Sequence, residues 1–295
     1  MFLSMARAYT TRFPDARGVT RLTRLVEMKA LPGLPPGTRV TVKTDDGRKF
    51  TESVHEAWFL KLMMLARRDP AETCVTKALV RRGDTVMDIG ANYGWYTTLM
   101  SKLVGSSGQV HAFEAAPTTM ELLRRNCKEN GVGNEVFLNN VALGSAPGTA
   151  TIHVPRQHGG ASLKPYYDEP TEKHEVPVIT LDSYVAEKKL GGVKFVKMDV
   201  EGSELAVLKG ATSLMKSQHP PIWLMEVSRV ASGPFGYTPE ELTAYLSDHG
   251  YDVCQVLEKP RGRLTPLADV SKCQDADNVI YYPRRNRNAI QSLMV

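Results

Sequence analysis

The sequence predicts an α/β fold with a mostly parallel sheet covered by helices on both faces. Three observations predict it. From Thr85 onward, short apolar runs of strand length alternate with segments of helical periodicity. Glycine or proline stands at the junctions between them. The last two strand-like runs have no helix between them, so they pair antiparallel at one edge.

The elements follow in chain order. Residues 1–38 are a basic, loosely ordered lead-in ending in Leu31-Pro32-Gly33-Leu34-Pro35-Pro36-Gly37. Residues 39–82 form a hairpin and helical cap. Val40 and Val42 alternate, Asp46-Gly47 supplies the turn, and Phe50 leads the return strand. A helix over about 56–67 and another before Gly83 follow. The domain proper spans 83–283, opening with a strand at 85–90. A helix over 93–104 carries Tyr96, Leu99, Met100 and Leu103 at i, i+3, i+4 and i+7, and stops at Gly105. After a strand at 109–113, Pro117 takes the first helical position. Met120, Leu123 and Cys127 share one face of that helix, which ends at Gly131. A third strand covers about 135–141, and an extra one runs from Thr149 to Val154. Residues 155–175 are polar and without periodicity. Their length, the Gly159-Gly160 pair, and Tyr166 and Tyr167 suit a mobile lid. Strand 193–198, helix 204–215 and strand 221–227 make the next unit. Thr238 and Glu241 form a capping box around Pro239, and strands at 251–257 and 278–282 close the domain. Residues 284–295 are a basic tail.

Composition narrows the function classes. No apolar run reaches the ~18 residues that span a bilayer; the densest patch, Trp58 to Ala66, is interrupted by Lys61. The formal charge of +5 is unevenly spread. Arg7, Arg12, Arg17, Arg21, Arg24 and Lys29 exceed Asp15 and Glu27 near the start, and Arg284, Arg285 and Arg287 stand near the end. The body between is slightly acidic, which argues against a nucleic-acid platform and reads the two basic arms as solvated. The first 29 residues have the Arg, Ser and Thr of a transit peptide, but Asp15 and Glu27 oppose that and no apolar h-region marks a secretory signal. Cys74, Cys127, Cys254 and Cys273 form no C-x-x-C pair. Cys127 and Cys254 fall in apolar patterns as core residues, and a reducing cytoplasmic setting is expected.

The chemistry begins at Val86-Met87-Asp88-Ile89-Gly90-Ala91-Asn92-Tyr93-Gly94. A strand runs through an acidic residue into a glycine turn and then a helix, an arrangement in which backbone closes on a nucleotide-like ligand. Asn92 stands where the second glycine of a dinucleotide fingerprint belongs, which disfavours NAD chemistry. The spacing suits the Asp-x-Gly-x-x-x-Gly turn with which many methyltransferases hold the amino-acid end of S-adenosylmethionine. A tight turn without a ligand has the same pattern. Glu114 ends the second strand, 26 positions after Asp88, where a carboxylate accepts both ribose hydroxyls. A surface glutamate favoured by the following helix dipole is the alternative. Two further segments complete the pattern: Lys197-Met198-Asp199-Val200-Glu201-Gly202-Ser203-Glu204-Leu205, and Pro221-Ile222-Trp223-Leu224-Met225-Glu226 with a late Asp277-Asn278-Val279-Ile280.

In this combination the sequence closely resembles the FkbM-type family of S-adenosylmethionine-dependent methyltransferases, over roughly residues 70–283. The resemblance implies a Rossmann-like class I methyltransferase fold with a seven-stranded sheet. It also implies transfer of a methyl group, typically to a hydroxyl oxygen of a natural product or sugar. By that analogy Gly90, Ala91 and Gly94 pack against the methionyl part of the cofactor, with Asp88 at its amino group. Glu114 takes the ribose hydroxyls, and Asn140, or its neighbour Asn139, the adenine edge; Asn92 and Ala115 also count among the cofactor-binding residues. Asp199 ends the fourth strand where acceptor meets methyl group, as general base or as an electrostatic support for cofactor and substrate. Glu201, Glu226, His158 and His174 are weaker candidates for the base. Asp199, Glu201 and Glu226 gather oxygen ligands, but no spacing requires a metal and none is assigned. The competing functions are an RNA methyltransferase, an oxidoreductase and a non-catalytic S-adenosylmethionine-binding protein.

Overall fold

A computed structural model of the chain describes residues 33–35, 37–54, 59, 65, 68–155, 160–165, 170–273 and 275–295. Two compact units divide between Asp69 and Pro70. In the first, β1 (Arg39–Lys43) and β2 (Lys49–Ser53) form the expected antiparallel hairpin. Gly47, at φ 84, turns the chain after Asp46, and the paired Val42 and Phe50 are buried. Residues 1–32 of the lead-in and most of the helix read at 56–67 lie outside the described residues.

The second unit opens with α1 (Pro70–Leu79), β3 (Thr85–Ile89), α2 (Trp95–Val104), β4 (Gln109–Phe113) and α3 (Pro117–Glu129). Next come β5 (Val136–Asn139), β6 (Ala142–Leu143), β7 (Gly148–Pro155), β8 (Thr171–Ile179) and α4 (Leu181–Glu187). Then follow β9 (Phe195–Met198), α5 (Glu204–Lys209), α6 (Thr212–Lys216), β10 (Ile222–Val227) and α7 (Arg229–Ser232). The last are α8 (Pro239–Asp248), β11 (Tyr251–Leu257), β12 (Arg263–Pro266) and β13 (Asp277–Pro283).

The main sheet has the order β12-β11-β13-β10-β9-β3-β4-β5. Its β10, β9, β3, β4 and β5 are parallel. The inner strands are apolar on both faces, as a sheet covered on both sides requires: Phe195, Val196, Met198 and Ile222 to Met225 are all buried. One face buries Met87, Ile89, Met198 and Met225 with Val207, Leu208 and Leu246. Another cluster joins Ala112 to Met120, Leu123 and Cys127 on α3. Cys127 and Cys254 are buried as the pattern required.

Several expectations need correction. Among the described residues the main sheet has eight strands, not seven. The added strand, β12, pairs antiparallel on the outer side of β11, and Leu264 is its buried side chain. β11 and β13 pair antiparallel as expected. The helix read over 204–215 is two helices, because the chain breaks at Gly210, where a Cβ would collide with the Gly144 carbonyl. Residues 171–175, read as loop, begin β8, which pairs with β7 from Thr171 opposite Pro155 to Val178 opposite Gly148. With β6 they form a separate three-stranded sheet. The C-terminal arm, read as solvated, is held against the domain. Ile290 and Leu293 are buried, and Arg263 donates to the Ser292 and Met294 carbonyls at 2.7 Å each.

Strand order runs outward from β3 in both directions, to β4 and β5 on one side and β9 and β10 on the other. The crevice beyond the carboxyl ends of β3 and β9 is therefore the topological switch point, where such sheets bind ligands. Among the described residues no helix is long and apolar enough to cross a membrane.

Candidate active site

The glycine turn leaves β3 at that switch point. Gly90 has φ 79, Asn92 φ 48 and Gly94 φ 90, so three of five consecutive residues are left-handed. Asparagine tolerates that region better than other non-glycine residues. The backbone N–H groups of Gly90 and Ala91 both donate to the Phe113 carbonyl at 2.9 Å, and the Asp199 N–H donates to the Ile89 carbonyl at 2.9 Å. A Cβ at Gly90 would overlap the Asp199 carbonyl oxygen, and one at Gly94 would come within 2.6 Å of Leu123 Cδ1. Both glycines are thus required by packing within the protein. From α3, the buried Asn126 donates through Nδ2 to the Tyr93 carbonyl at 2.8 Å and braces the turn from behind.

Two buried carboxyls support this turn. Asp88 accepts from Thr97 Oγ1 at 2.5 Å. Burial pushes it up to about 6, against the pull of Thr97 and Lys197. Glu114 divides its oxygens: Oε2 accepts from the Asn92 N–H at 2.8 Å and Oε1 from the Ala116 N–H at 2.9 Å. Burial raises Glu114 to about 7 despite those bonds, and the charges of Asp88 and Asp199 add to the rise. Asn140 donates from Nδ2 to the Glu114 and Ala115 carbonyls at 2.8 and 3.0 Å, fixing the β4 end. Asn139 donates to Ala112 and Phe137 carbonyls instead.

A pH dependence of stability follows. The folded-state value of Glu114 lies above its ordinary 4.5. Its contribution therefore favours the fold fully below that ordinary value and is lost as pH rises through the folded one. Glu114→Gln cannot ionise. Between about pH 4.5 and 7 the natural chain should lose on the order of 3 kcal/mol relative to this variant. Urea denaturation across pH reads the difference. Parallel stability curves for the two proteins would contradict the burial of this carboxyl.

A second group of acids stands at the ends of β9 and β10. Asp199 is partly exposed, and its Oδ2 lies 3.6 Å from Nζ of the buried Lys197. Glu226 ends β10. Burial and then Asp199 push it up, and Lys197 opposes them. Glu204 is buried and works inward: Oε1 accepts from the Val200 and Gly202 N–H groups at 3.3 and 3.2 Å, and Oε2 from the Tyr237 hydroxyl at 2.7 Å. It shapes the turn after Asp199. Glu201 sits in that turn at φ 51, and its carbonyl accepts from Ser162 Oγ at 2.7 Å. Residues 160–165 thereby reach the site's edge. Lys164 also donates to the Pro234 carbonyl at 3.1 Å and lies over the Phe235 ring at 5.2 Å.

The sequence candidates thus separate. Gly90, Ala91, Asn92, Gly94, Glu114, Ala115 and Asn140 form one hydrogen-bonded group around the β3 and β4 ends, and Asp88 stands beside it on β3, bonded to Thr97. Asp199, Glu201 and Glu226 lie at or beyond the ends of β9 and β10. His174, read as a loop residue, is instead within β8 opposite Ile152, its Nε2 4.0 Å from Glu172. His158, Tyr166 and Tyr167 fall outside the described residues. Among the described residues no three His, Cys, Asp or Glu side chains are grouped to hold a metal ion. Sequence reasoning missed Thr97, Asn126, Lys197 and Tyr237. Of these only Lys197 carried a signal, as a lone charge inside the apolar run Phe195-Val196-Lys197-Met198.

The Methyltransferase FkbM domain model matches residues 88–253. The 31-O-demethyl-FK506 methyltransferase FkbM of Streptomyces tacrolimicus is 28% identical over 201 residues, covering 59% of this chain and 75% of that protein. The hexuronic acid methyltransferase AglP of Haloferax volcanii is 26% identical over 212 residues, covering 68% and 76%. Among solved structures, Methyltransferase FkbM from Methylobacillus flagellatus KT is similar at TM-score 0.43 and 18% identity, covering 76% of this chain and 52% of that one.

Proposed function

This chain belongs to the Methyltransferase FkbM domain family, and on that premise we propose that it methylates a hydroxyl oxygen of a small molecule, with S-adenosylmethionine as methyl donor. The observation that carries the proposal is that the Gly90 turn, Glu114 and Asp199 stand together at the carboxyl ends of β3, β4 and β9, at the β3/β9 switch point. The residues fit the donor. Each Glu114 oxygen accepts one backbone N–H, which leaves lone pairs for two ribose hydroxyls. Gly90 to Gly94 offer backbone without intervening side-chain bulk at two positions, and Asp88 underpins them. Asn140 or Asn139 lies toward the adenine side. When bound, S-adenosylmethionine supplies an electrophilic methyl group on a sulfonium centre. Asp199, partly exposed at the β9 end, then receives the acceptor's hydroxyl proton and holds the oxygen in line. An oxygen acceptor is supported by the relative named for 31-O-demethyl-FK506, and a small, hydroxylated one also by the relative named for hexuronic acid.

Calorimetry with S-adenosylmethionine tests the donor assignment. Glu114→Ala removes charge-assisted hydrogen bonds of about 1.5–3 kcal/mol, so affinity should fall roughly ten- to hundredfold. Unchanged affinity in the variant would reject the role of Glu114. Tight binding of NAD with none of S-adenosylmethionine would reject the function. Screening hydroxylated acceptors for methyl incorporation separates an enzyme from a protein that only binds the donor.

A further inference from the structure

Lys197 is a cation where packing alone asks for an apolar residue. Its strand neighbours Phe195, Val196 and Met198 are buried hydrophobics, and Lys197 itself is 3% exposed. Burying an ammonium costs several kcal/mol unless opposite charge and hydrogen bonds offset it. The surroundings supply both. Nζ lies 3.6 Å from Asp199 Oδ2, 3.5 Å from the Met198 carbonyl, and 5.6 Å from the centre of the Tyr96 ring on α2. In register Lys197 stands beside Asp88 on β3 and Leu224 on β10. Side chains alternate along strands, so Asp199 and Glu226 fall two residues further along the same face, at the open edge. Asp88, Asp199 and Glu226 therefore converge on this ammonium from three strands, with Glu201 and Glu204 in the following turn and helix. The lysine is sealed while Asp199 is 28% exposed. The pair is anchored on its protein side and open on the other.

We propose that Lys197 is the positioning residue of the transfer site: its buried ammonium fixes the Asp199 carboxylate at the crevice and balances the acids that converge there. The proposal rests on Asp199 acting at the transfer step. Without the cation, mutual repulsion would spread the three acids or force protons onto them. With it, one carboxylate is held facing the acceptor, and the others stay near the strand ends. The Coulombic influence of Lys197 on both Asp88 and Glu226 accords with this arrangement.

The test is carboxyl titration by NMR on the full chain carrying ¹³C-carboxyl Asp and Glu, with Asp88→Asn and Glu226→Gln for assignment. In Lys197→Met the titration midpoints of Asp88 and Glu226 should both rise by about one pH unit or more. Lys197→Arg, which keeps the charge, should bring them back. A purely packing role would move neither midpoint, and unmoved midpoints in a folded Lys197→Met chain would overturn the proposal. Should that variant not fold, Asp199→Asn is read instead through ¹⁵N-labelled lysine. The Lys197 Nζ resonance should shift when its partner loses charge, and an unchanged resonance overturns the proposal equally. Calorimetry of the natural chain with S-adenosylmethionine is run alongside: no binding there removes the functional reading, while the titrations still judge Lys197.

Discussion

Gly90→Ala is expected to lose about 3 kcal/mol of stability or more, with S-adenosylmethionine binding lost alongside. Two effects combine. At φ 79 any side chain carries left-handed strain, and here the new Cβ would also overlap the Asp199 carbonyl oxygen. That carbonyl is backbone at the end of β9, so it cannot rotate away as a side chain would. Relief requires β3 and β9 to separate at their carboxyl ends, where the Asp199 N–H to Ile89 bond joins them. Against a total stability of roughly 5–15 kcal/mol this is a large fraction. Urea denaturation should show a lower midpoint at unchanged slope. Gly94→Ala is the comparison: its collision is with the end of the Leu123 side chain, which can shift, so the loss should be smaller. Wild-type stability in Gly90→Ala would mean that the strand ends are not in contact as described.

Asp199→Asn is expected to lower the transfer rate by about 10²–10⁴ with S-adenosylmethionine affinity little changed. The substitution keeps shape and removes both charge and basicity. It is to be measured on whichever hydroxylated acceptor a methyl-incorporation screen returns, with donor affinity read separately by calorimetry. A parallel fall in affinity and rate would make Asp199 a support for the donor instead of the base. Near-normal turnover would exclude both roles and turn attention to Glu226, His174 and His158. Burial raises Glu226 and favours its protonated form.

The inner parallel strands β3, β4, β9 and β10 were legible because each is buried on both faces and so reads as a short apolar run. The strand Gln109–Phe113 and the helix starting at Pro117 stand where the pattern put them. The start of β8 was not legible. Thr171-Glu172-Lys173-His174-Glu175 carries no apolar signal, and its place is set by backbone pairing with β7. β12 is similar, four residues with Leu264 alone buried. At the site, the acids at strand ends were legible from position. Their division of labour was not, because it depends on partners distant in sequence. Glu204 turned inward because Tyr237 meets it. Asp88 is occupied by Thr97 one helical turn beyond the glycines.

The way residues 160–165 meet the rest of the domain bears on how such a protein can be retargeted. Ser162 and Lys164 grip carbonyl oxygens, of Glu201 and Pro234, which every amino acid at those positions would present. These two bonds are therefore indifferent to side-chain identity on the receiving side. Side chains enter at two points: the Phe235 ring lies under Lys164, and a Cβ at Gly160 would run into the Glu201 carboxyl. The segment and the Gly90–Gly94 turn are held by separate sets of bonds, so residues 160–165 can be altered without removing a hydrogen bond from the turn.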